Sequence, residues 1–201
     1  MSGNPVDDKL YCNEVKFDGF RLLVSNNDGV RLYTRHGNDV SHKFRELLDC
    51  PLPEGTIVDG EVVVIDNSGK PDFEALSKRF LSKNDKALVT FYAFDILRYR
   101  GTDTTGLSLL KRKELLLKAF EETEAYKHVQ WSVGSANDLY GLVKTNGSEG
   151  IVQKHENSKY EIGRRSWAWQ KVINWTHAEV FITGYKKNEF GCLHLFKKTG
   201  S

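Results

Sequence analysis

The chain has 201 residues and a formal net charge of +2 at pH 7, with 39% hydrophobic and 28% charged residues. This length allows one large domain or one domain plus a fragment, and the composition excludes fibrous and disordered classes. No apolar run approaches the roughly 20 residues of a membrane-spanning helix, and the amino terminus has no signal-like apolar core. We therefore expect a cytoplasmic protein with no membrane partner.

Positive charge is concentrated in the last quarter of the chain. Residues 151–201 contain nine Lys or Arg against four Asp or Glu. This excess favours a surface that faces a polyanion, although a solvated charged face has the same composition. Cys12, Cys50 and Cys192 are widely spaced and lack the Cys-x-x-Cys pairing of zinc or redox sites. We interpret them as reduced structural thiols.

The first predicted elements are short strands. Residues 1–8 are polar and turn-rich, so we expect them to be poorly ordered. The strands and the turns between them are predicted at residues 10–17, 18–19, 20–25, 26–29 and 30–34. This pattern predicts an antiparallel meander that contains Lys16.

Helices and strands alternate in the middle of the chain. Residues 41–48 are predicted to form a short helix capped by Ser41. Residues 56–65 are rich in β-branched side chains but include Asp59-Gly60-Glu61. Because acidic groups are unwelcome inside a buried strand, either the strand ends there or the carboxylates face a site. A helix over Phe73–Leu81 and an apolar central strand over residues 87–97 follow.

The next helix has leucines at helical spacing. Residues 109–121 therefore predict an amphipathic helix outside a sheet, and we interpret Lys111, Arg112 and Lys113 as its solvated face. Ser135 is predicted to cap a further helix that ends at residue 144. The remaining predicted strands are 129–132, 151–154 and 166–175, followed by a hairpin of 180–185 with 193–198.

Residues 14–21 carry the most chemistry. A lysine nucleophile needs cationic or apolar neighbours that favour the neutral amine. Phe17, Phe20 and Arg21 are candidates for such neighbours of Lys16. Taken alone, however, the spacing favours a plain β-hairpin with Asp18-Gly19 as its turn.

Six ordered motifs favour the lysine nucleophile over the plain hairpin. They are Lys16-Phe17-Asp18-Gly19-Phe20-Arg21, Thr34-Arg35-His36-Gly37, Asp59-Gly60-Glu61-Val62, Phe91-Tyr92-Ala93-Phe94-Asp95, Glu149-Gly150-Ile151-Val152-Gln153-Lys154 and Trp169-Gln170-Lys171. Together they resemble the signatures of covalent nucleotidyltransferases, the superfamily of ATP-dependent DNA ligases, RNA ligases and mRNA-capping guanylyltransferases. Residues 34–39, 148–154 and 160–166 are most similar to the ligase domain of bacterial end-joining DNA ligases.

The resemblance implies a fold and a domain organisation. It implies an α+β adenylation domain over residues 1–176, with mainly antiparallel sheets flanked by helices. Residues 177–201 resemble the first hairpin of the oligonucleotide-binding (OB) barrel that follows this domain in the family. We therefore expect a truncated OB-fold at the end of the chain.

The resemblance also implies roles for ten side chains. Lys16 would be the catalytic residue and carry AMP, while the carboxylates of Glu61 and Glu149 would hold Mg²⁺ or Mn²⁺. Without the motifs, Phe94 and Trp169 would be assigned to strand packing, and the lysines to the surface. The residues expected to bind ATP are Glu14, Lys16, Arg21, Arg35, Glu61, Phe94, Glu149, Lys154, Trp169 and Lys171.

The function implied is ATP-dependent sealing of nicked double-stranded DNA by a monomer, bacterial or phage-encoded, with a DNA end-binding protein as a candidate partner. The alternatives are an RNA ligase, a capping-type nucleotidyltransferase and a catalytically weak nucleic-acid-binding remnant. Ile173 favours the remnant, whereas the intact Lys16, Glu61, Glu149 and Lys171 disfavour it. Two departures from the family pattern bear on the efficiency of self-adenylylation. Ile173 stands where the family usually has a second lysine, and the later basic motif of the barrel is absent.

Overall fold

The computed structural model describes residues 4–82 and 84–177, together with strands at 180–185 and 193–197. The strands are, in chain order, β1 (Tyr11–Val15), β2 (Phe20–Asn26), β3 (Val30–Thr34), β4 (Thr56–Val63), β5 (Thr90–Tyr99), β6 (Thr102–Asp103), β7 (Tyr126–His128), β8 (Trp131–Val133), β9 (Gly150–His155), β10 (Trp169–Ile173), β11 (Val180–Tyr185) and β12 (Leu193–Lys197). The α-helices are α1 (Phe73–Leu81), α2 (Leu109–Ala119) and α3 (Ala136–Thr145). None of these helices is both long enough and apolar enough to cross a bilayer.

Two sheets carry most of these strands. The first sheet has the order β10-β9-β1-β8, and each neighbouring pair is antiparallel. The second sheet has the order β3-β2-β4-β5-β6, and β7 pairs with β5 in parallel. The predicted α+β class, with mainly antiparallel sheets and flanking helices, is confirmed.

The larger core lies between the second sheet and the helices beside it. Leu22 and Val24, two residues apart on β2, bury the same face of the strand, as the period of a strand requires. They belong to one cluster with Phe91 of β5, Leu76 of α1 and Leu116 of α2. Each such side chain contributes about 1.5–3 kcal/mol on burial, so this core holds the second sheet rigid.

A smaller core fixes α3 against the first sheet. Tyr140 and Val143 pack with Ile151 of β9 and Val172 of β10. The Tyr140 hydroxyl also donates to the carbonyl oxygen of Ile173 at 3.0 Å. These contacts hold the start of β9 and the end of β10 in place.

Residues 16–19 connect the two sheets. β1 pairs with β8 and β9, whereas β2 pairs with β3 and β4. The predicted Asp18-Gly19 hairpin, and the meander with Lys16 inside it, are therefore wrong. A Cβ on Gly19 would lie 2.3 Å from the carbonyl oxygen of Val62, so the glycine serves close packing against β4 rather than a turn. Lys16 lies where the two sheets meet.

The predicted solvated face of α2 is also wrong for two of its three cations. Arg112 is 0% exposed and Lys113 is 1% exposed, whereas Lys111 is exposed. The Arg112 guanidinium donates to both carboxylate oxygens of Asp95 on β5, at 2.7 and 3.0 Å. Because the acidic partners come from distant strands, leucine spacing within the helix could not reveal that these cations face inward.

Three local predictions need correction. The segment 41–48 forms a 3₁₀ turn only over Arg45–Leu48. Ser135 makes no side-chain cap, and the carboxylate of Asp7 instead accepts from the Ala136 amide at 3.0 Å. Residues 4–8 are therefore not loose: Val6 also accepts from and donates to the Gln153 side chain at 2.8 Å. Residues 1–3 lie outside the described part of the chain.

Asp59-Gly60-Glu61 does not end its strand. β4 runs through these residues, with an irregularity in its pairing with β5 between Asp59 and Gly60. The second alternative holds for Glu61, which lines a cavity, whereas Asp59 is buried and pairs with Arg21. Cys12 is buried and Cys50 is partly buried, and both are free thiols, as expected; Cys192 lies outside the described residues.

The predicted carboxyl-terminal hairpin is present as β11 paired antiparallel with β12. Its pairing shifts register between Ile182 and Gly184. Residues 178–179, 186–192 and 198–201 lie outside the described residues. The division at residue 176 and the OB-fold interpretation stay predictions.

Candidate active site

Lys16 is held beside a carboxylate in the space between the two sheets. Its backbone amide donates to the carbonyl oxygen of Gly150 at 2.9 Å, which extends the pairing of β1 with β9. Its ammonium forms an ion pair with Glu149, and the two side chains are only 16% and 30% exposed. Glu149 immediately precedes β9, so one strand pair positions both groups.

A cavity of about 400 Å³ opens around Lys16. The structure brings nine of the ten residues expected to bind ATP to its wall, and the tenth, Glu149, contacts Lys16. They come from both sheets, which explains why the motifs are spread over 158 residues of sequence, from 14 to 171. The nine lining residues are Glu14, Lys16, Arg21, Arg35, Glu61, Phe94, Lys154, Trp169 and Lys171.

Glu14 is buried between two lysines. Its Oε2 accepts from Lys154 Nζ at 2.7 Å, and its Oε1 forms an ion pair with Lys113. Burial opposes the ionisation of Glu14, but the two ammonium groups outweigh it and hold the pKa of this carboxyl below its ordinary value. Glu14 therefore presents a charged carboxylate that is already paired.

Aromatic rings enclose the Lys154 ammonium. Lys154 Nζ lies 4.3 Å from the Phe94 ring centre and 4.2 Å from the Trp169 ring centre. The two rings meet edge to face with their centres 6.2 Å apart. Arg21 approaches the Phe94 ring at 5.6 Å. The Phe94 ring therefore lies beside two cations, the ammonium of Lys154 and the guanidinium of Arg21.

A buried carboxylate and a phenol fix the Arg21 guanidinium. Arg21 donates to both oxygens of Asp59, and one of its nitrogens also donates to the Tyr160 hydroxyl at 3.0 Å. Tyr160 donates in turn to Asp59 at 2.7 Å. Burial raises the pKa of Asp59, and the hydrogen bonds from Arg21 and Tyr160 restrain that rise. The guanidinium is thereby fixed at the cavity wall.

Burial and the charge of Lys16 both shift the pKa values of Glu61 and Lys171. Burial raises the pKa of Glu61 to about 7, although Lys16 acts in the opposite direction. Burial lowers the pKa of Lys171, and the positive charge of Lys16 adds to the effect. Both groups therefore titrate closer to neutrality than free side chains do, which is common at functional sites.

Two carboxylates, one at the cavity wall and one against Lys16, suit a hard divalent cation. Glu61 lines the cavity and Glu149 reaches Lys16, so their oxygens could bind Mg²⁺ together with substrate phosphates and water. Residues 4–82 and 84–177 contain no cluster of three or more His, Cys, Asp or Glu suited to holding a metal by themselves. The donor set fits an ion that a nucleotide brings with it.

The two phenylalanines expected near Lys16 have different positions. Phe17 lines the cavity and stacks on Tyr92 with ring centres 4.3 Å apart. Phe20 instead packs edge to face against Phe73 and Phe80 of α1, at 5.4 and 5.3 Å. Phe20 therefore anchors β2 and is not a wall of the site.

Sequence reasoning did not assign roles to Asp59, Tyr160 or Lys113. Asp59 lies inside a motif, two residues before Glu61, and a carboxylate within a β-branched strand is the signal that could have marked it. Tyr160 begins the segment 160–166 that carries the closer resemblance. Lys113 had no signal in the sequence because its partner, Glu14, is almost a hundred residues away.

The sequence model of the "ATP dependent DNA ligase domain" matches residues 5–172, which contain every residue of this site. The chain belongs to the ATP-dependent DNA ligase family. It is the adenylation domain of such a ligase, as the six motifs predict, and it is a nucleotidyltransferase by family.

Similar bacterial proteins cover most of this ligase domain. It is 41% identical over 186 residues to the SPbeta prophage-derived DNA ligase-like protein LigB of Bacillus subtilis. That alignment covers 92% of this chain and 69% of LigB. It is 32% identical over 182 residues to the multifunctional non-homologous end joining DNA repair protein LigD of Mycobacterium tuberculosis. That alignment covers 89% of this chain but only 23% of LigD.

Solved ligase structures share the fold. The ligase domain of M. tuberculosis LigD superposes with a TM-score of 0.70 at 29% identity, over 90% of this chain and 59% of that one. A mycobacterial DNA ligase D complexed with ATP and MES gives a TM-score of 0.69 at 29% identity, over 86% of this chain and 57% of that one. This ligase domain therefore spans less than two thirds of those chains.

Proposed function

We propose that this ligase domain seals nicks in double-stranded DNA through an AMP covalently attached to Lys16. The observation that carries the proposal is the position of the Lys16 amine. It contacts the Glu149 carboxylate and opens into a cavity that Arg21, Lys154 and Lys171 also line. A nucleophile beside a carboxylate and facing several cations suits attack on a phosphate ester.

The first step would transfer AMP from ATP to the lysine. The Lys16 nitrogen attacks the α-phosphorus, a P–N bond forms, and the P–O bond to pyrophosphate breaks. The contact between the two side chains places the Glu149 carboxylate where it can take the amine proton. Arg21, Lys154 and Lys171 would offset the charge that develops on the phosphate oxygens.

Two further steps would complete sealing. The 5′-phosphate of the nick attacks the Lys16-linked AMP, which regenerates the lysine and forms an anhydride. The 3′-hydroxyl then attacks the 5′-phosphorus, and AMP leaves. Arg35, at the cavity wall beyond β3, is a candidate contact for the 5′-phosphate, while Glu14, Phe94 and Trp169 would enclose the adenosine.

A divalent cation would be held by Glu61 and Glu149. Mg²⁺ or Mn²⁺ bound there would neutralise negative charge on the phosphates. Deprotonation of Glu61 would be needed for binding, and burial raises the pKa of this carboxyl to about 7. Cation affinity should therefore increase as pH rises through that value.

The DNA partner is inferred from the family. LigD carries non-homologous end joining in its name, and we extend a role in DNA repair, with an end-binding protein as a candidate partner, to this chain. The β11–β12 hairpin would begin an OB-fold after residue 176. Stimulation of end joining by such a protein, compared with sealing of a simple nick, tests the partner separately from the chemistry.

Labelling with ATP tests the function directly. Incubation with α-labelled ATP and Mg²⁺, followed by a denaturing gel, should leave label on the wild-type chain and none on Lys16→Ala. Lys111→Ala, at an exposed position of α2, should label normally. Label on Lys16→Ala that maps to Lys154 or Lys171 would refute the assignment, and nicks in DNA and in RNA tested side by side would define the substrate.

A further inference from the structure

Lys113 is a buried lysine with no role in the proposed steps. It lies in the second turn of α2 and is 1% exposed. Its ammonium forms an ion pair with Glu14 Oε1, and it pairs with no other acid among residues 4–82 and 84–177. An ammonium group is costly to bury unless an opposite charge compensates for it, so this lysine needs an explanation.

Glu14 is shared by two cations that come from different elements. Lys113 reaches it from α2, and Lys154 reaches it from β9 at 2.7 Å. All three side chains are nearly inaccessible to solvent. One carboxylate and two ammonium groups carry a net charge of +1, and that excess is held behind the cavity wall.

The excess charge faces the cavity through Lys154. Glu14 and Lys154 line the cavity, whereas Lys113 does not. If Lys113 were neutral, Glu14 and Lys154 would cancel each other, and an anion in the cavity would meet little charge at this position. With Lys113 present, Glu14 neutralises only one of the two ammonium groups. The remaining positive charge is then available to pair with a phosphate in the cavity.

We propose that Lys113 is a positioning residue for nucleotidyl transfer: it neutralises Glu14 from the helix side and so leaves the charge of Lys154 available to a substrate phosphate. This inference rests on the proposed function, in which Lys154 offsets the charge that develops on the transferred phosphate. Lys113 touches neither the substrate nor the reacting atoms, and it acts through Glu14.

The fold does not depend on Lys113 to fix α2. The neighbouring Arg112 already ties the helix to Asp95, and it also donates to the carbonyl oxygens of Leu107 and Ser158, at 2.6 and 2.9 Å. Removing the charge of Lys113 would leave Glu14 paired with Lys154. The variant therefore creates no unpaired buried charge, which is the usual reason that such changes unfold a protein.

The pH dependence of the self-labelling rate distinguishes a positioning role of Lys113 from a purely structural one. Burial lowers the pKa of Lys154, Glu14 on β1 opposes this effect, Lys113 on α2 adds to it, and Asp95 on β5 opposes it. Without Lys113, the pKa of Lys154 rises, so the alkaline decline in rate should move to higher pH. A purely structural defect would lower the rate equally at every pH.

The experiment is single-turnover self-labelling with ATP as a function of pH. Lys113→Met and Lys113→Gln should lower the rate at neutral pH about tenfold and shift the alkaline limb upward. Lys113→Arg should restore much of the rate because it keeps the charge. Lys111→Met, exposed on the same helix, is the matched control and should behave as wild type.

Each outcome decides the inference. A wild-type chain that never labels refutes the proposed function itself. Wild-type labelling with unchanged rates and limbs in both neutral variants overturns the role of Lys113. If circular dichroism shows that both variants unfold, Glu14→Asp replaces them: it keeps a carboxylate between the two lysines but holds it farther from Lys154, so the limb should move to lower pH. An unmoved limb in that variant would also overturn the inference.

Discussion

The Tyr160 hydroxyl donates to Asp59 Oδ2 at 2.7 Å and accepts from Arg21 at 3.0 Å. Arg21 meanwhile reaches both oxygens of Asp59, at 3.0 and 2.5 Å. The connection between β9 and β10 thus locks a guanidinium that belongs to β2 in the other sheet. This small network holds a cation of the cavity wall in one orientation across the junction of the two sheets.

Tyr160→Phe should therefore impair nucleotidyl transfer, and more so in acid. Burial raises the pKa of Asp59, and the hydrogen bond from Tyr160 restrains the rise. Without the hydroxyl, the pKa rises further, and Asp59 becomes neutral and releases Arg21 at a higher pH. We expect the self-labelling rate to fall about tenfold on the acid side of its pH profile and less on the alkaline side.

Tyr99→Phe, on β5 away from this network, is the matched control and should leave the pH profile unchanged. An equal loss for Tyr160→Phe on both sides of the profile would show that the hydroxyl does not act through the ionisation of Asp59.

The interior of the fold was harder to predict than its elements. Helix α1 has the predicted bounds because Asp72 caps it locally, accepting from the Ala75 amide at 2.9 Å. The burial of Arg112 and Lys113 depends instead on Asp95 and Glu14, which lie on separate strands. Information of that kind is not present in the periodicity of a helix.

Arg112→Met tests how much the buried pair on α2 stabilises the protein. The change leaves Asp95 as an uncompensated buried carboxylate, because both groups are 0% exposed. Breaking such a pair from one side costs about 3–5 kcal/mol. Urea unfolding should show this loss for Arg112→Met and almost none for the control Lys111→Met. Equal stabilities of the two variants would mean that Asp95 accepts from another donor or becomes protonated.

Glu61→Gln should stabilise the nucleotide-free protein at alkaline pH. Burial raises the pKa of Glu61 to about 7 from 4.5, so the folded protein prefers the protonated carboxyl. Its contribution to stability is complete below about pH 4.5 and is lost as pH rises through about 7. The amide cannot ionise, so the variant should gain about 1–3 kcal/mol over wild type near pH 8 and nothing near pH 4.5.

Thermal or urea unfolding without ATP or metal measures this gain, and Glu74→Gln on the exposed face of α1 is the control. The same Glu61 variant should lose self-labelling, since the proposed cation site loses a carboxylate. A variant that is no more stable at alkaline pH would show that Lys16 already keeps Glu61 ionised in the fold.

The residues of the site were predictable because the family motifs name them, but their pairing was not. The motif around Lys16 was interpreted as a hairpin because Asp18-Gly19 is a good local turn. In the fold, β1 finds its partners at Val133 and His155, and long-range pairing overrides the local signal. The site exists because the chain changes sheets at Lys16, and no local pattern encodes that change.

Gly19→Ala tests the crossing between the sheets. A Cβ there would lie 2.3 Å from the carbonyl oxygen of Val62 and 2.8 Å from a methyl carbon of Val63, so β4 or the crossing must move. We expect a loss of about 1–3 kcal/mol in unfolding free energy and slower self-labelling, because Lys16 shifts with the crossing. Gly106→Ala, where a Cβ meets nothing within 4 Å, should change neither; a stable and fully active Gly19→Ala would show that the crossing has room.

Ile173→Lys tests whether a second lysine on β10 speeds nucleotidyl transfer or whether the other cations of the site are sufficient. Ile173 follows Lys171 by two residues on β10, so both side chains lie on the same face of the strand. Lys171 lines the cavity, and Ile173 stands where the family resemblance places a second lysine. A charge-assisted phosphate contact contributes about 1.5–3 kcal/mol, so a lysine that reaches the phosphate should raise the labelling rate about tenfold or more.

Ile173→Met, which adds length without charge, should leave the rate unchanged. If the lysine variant is less stable and no faster, the side chain is held among apolar neighbours, where a charge is unfavourable, and the remaining cations are sufficient for the site.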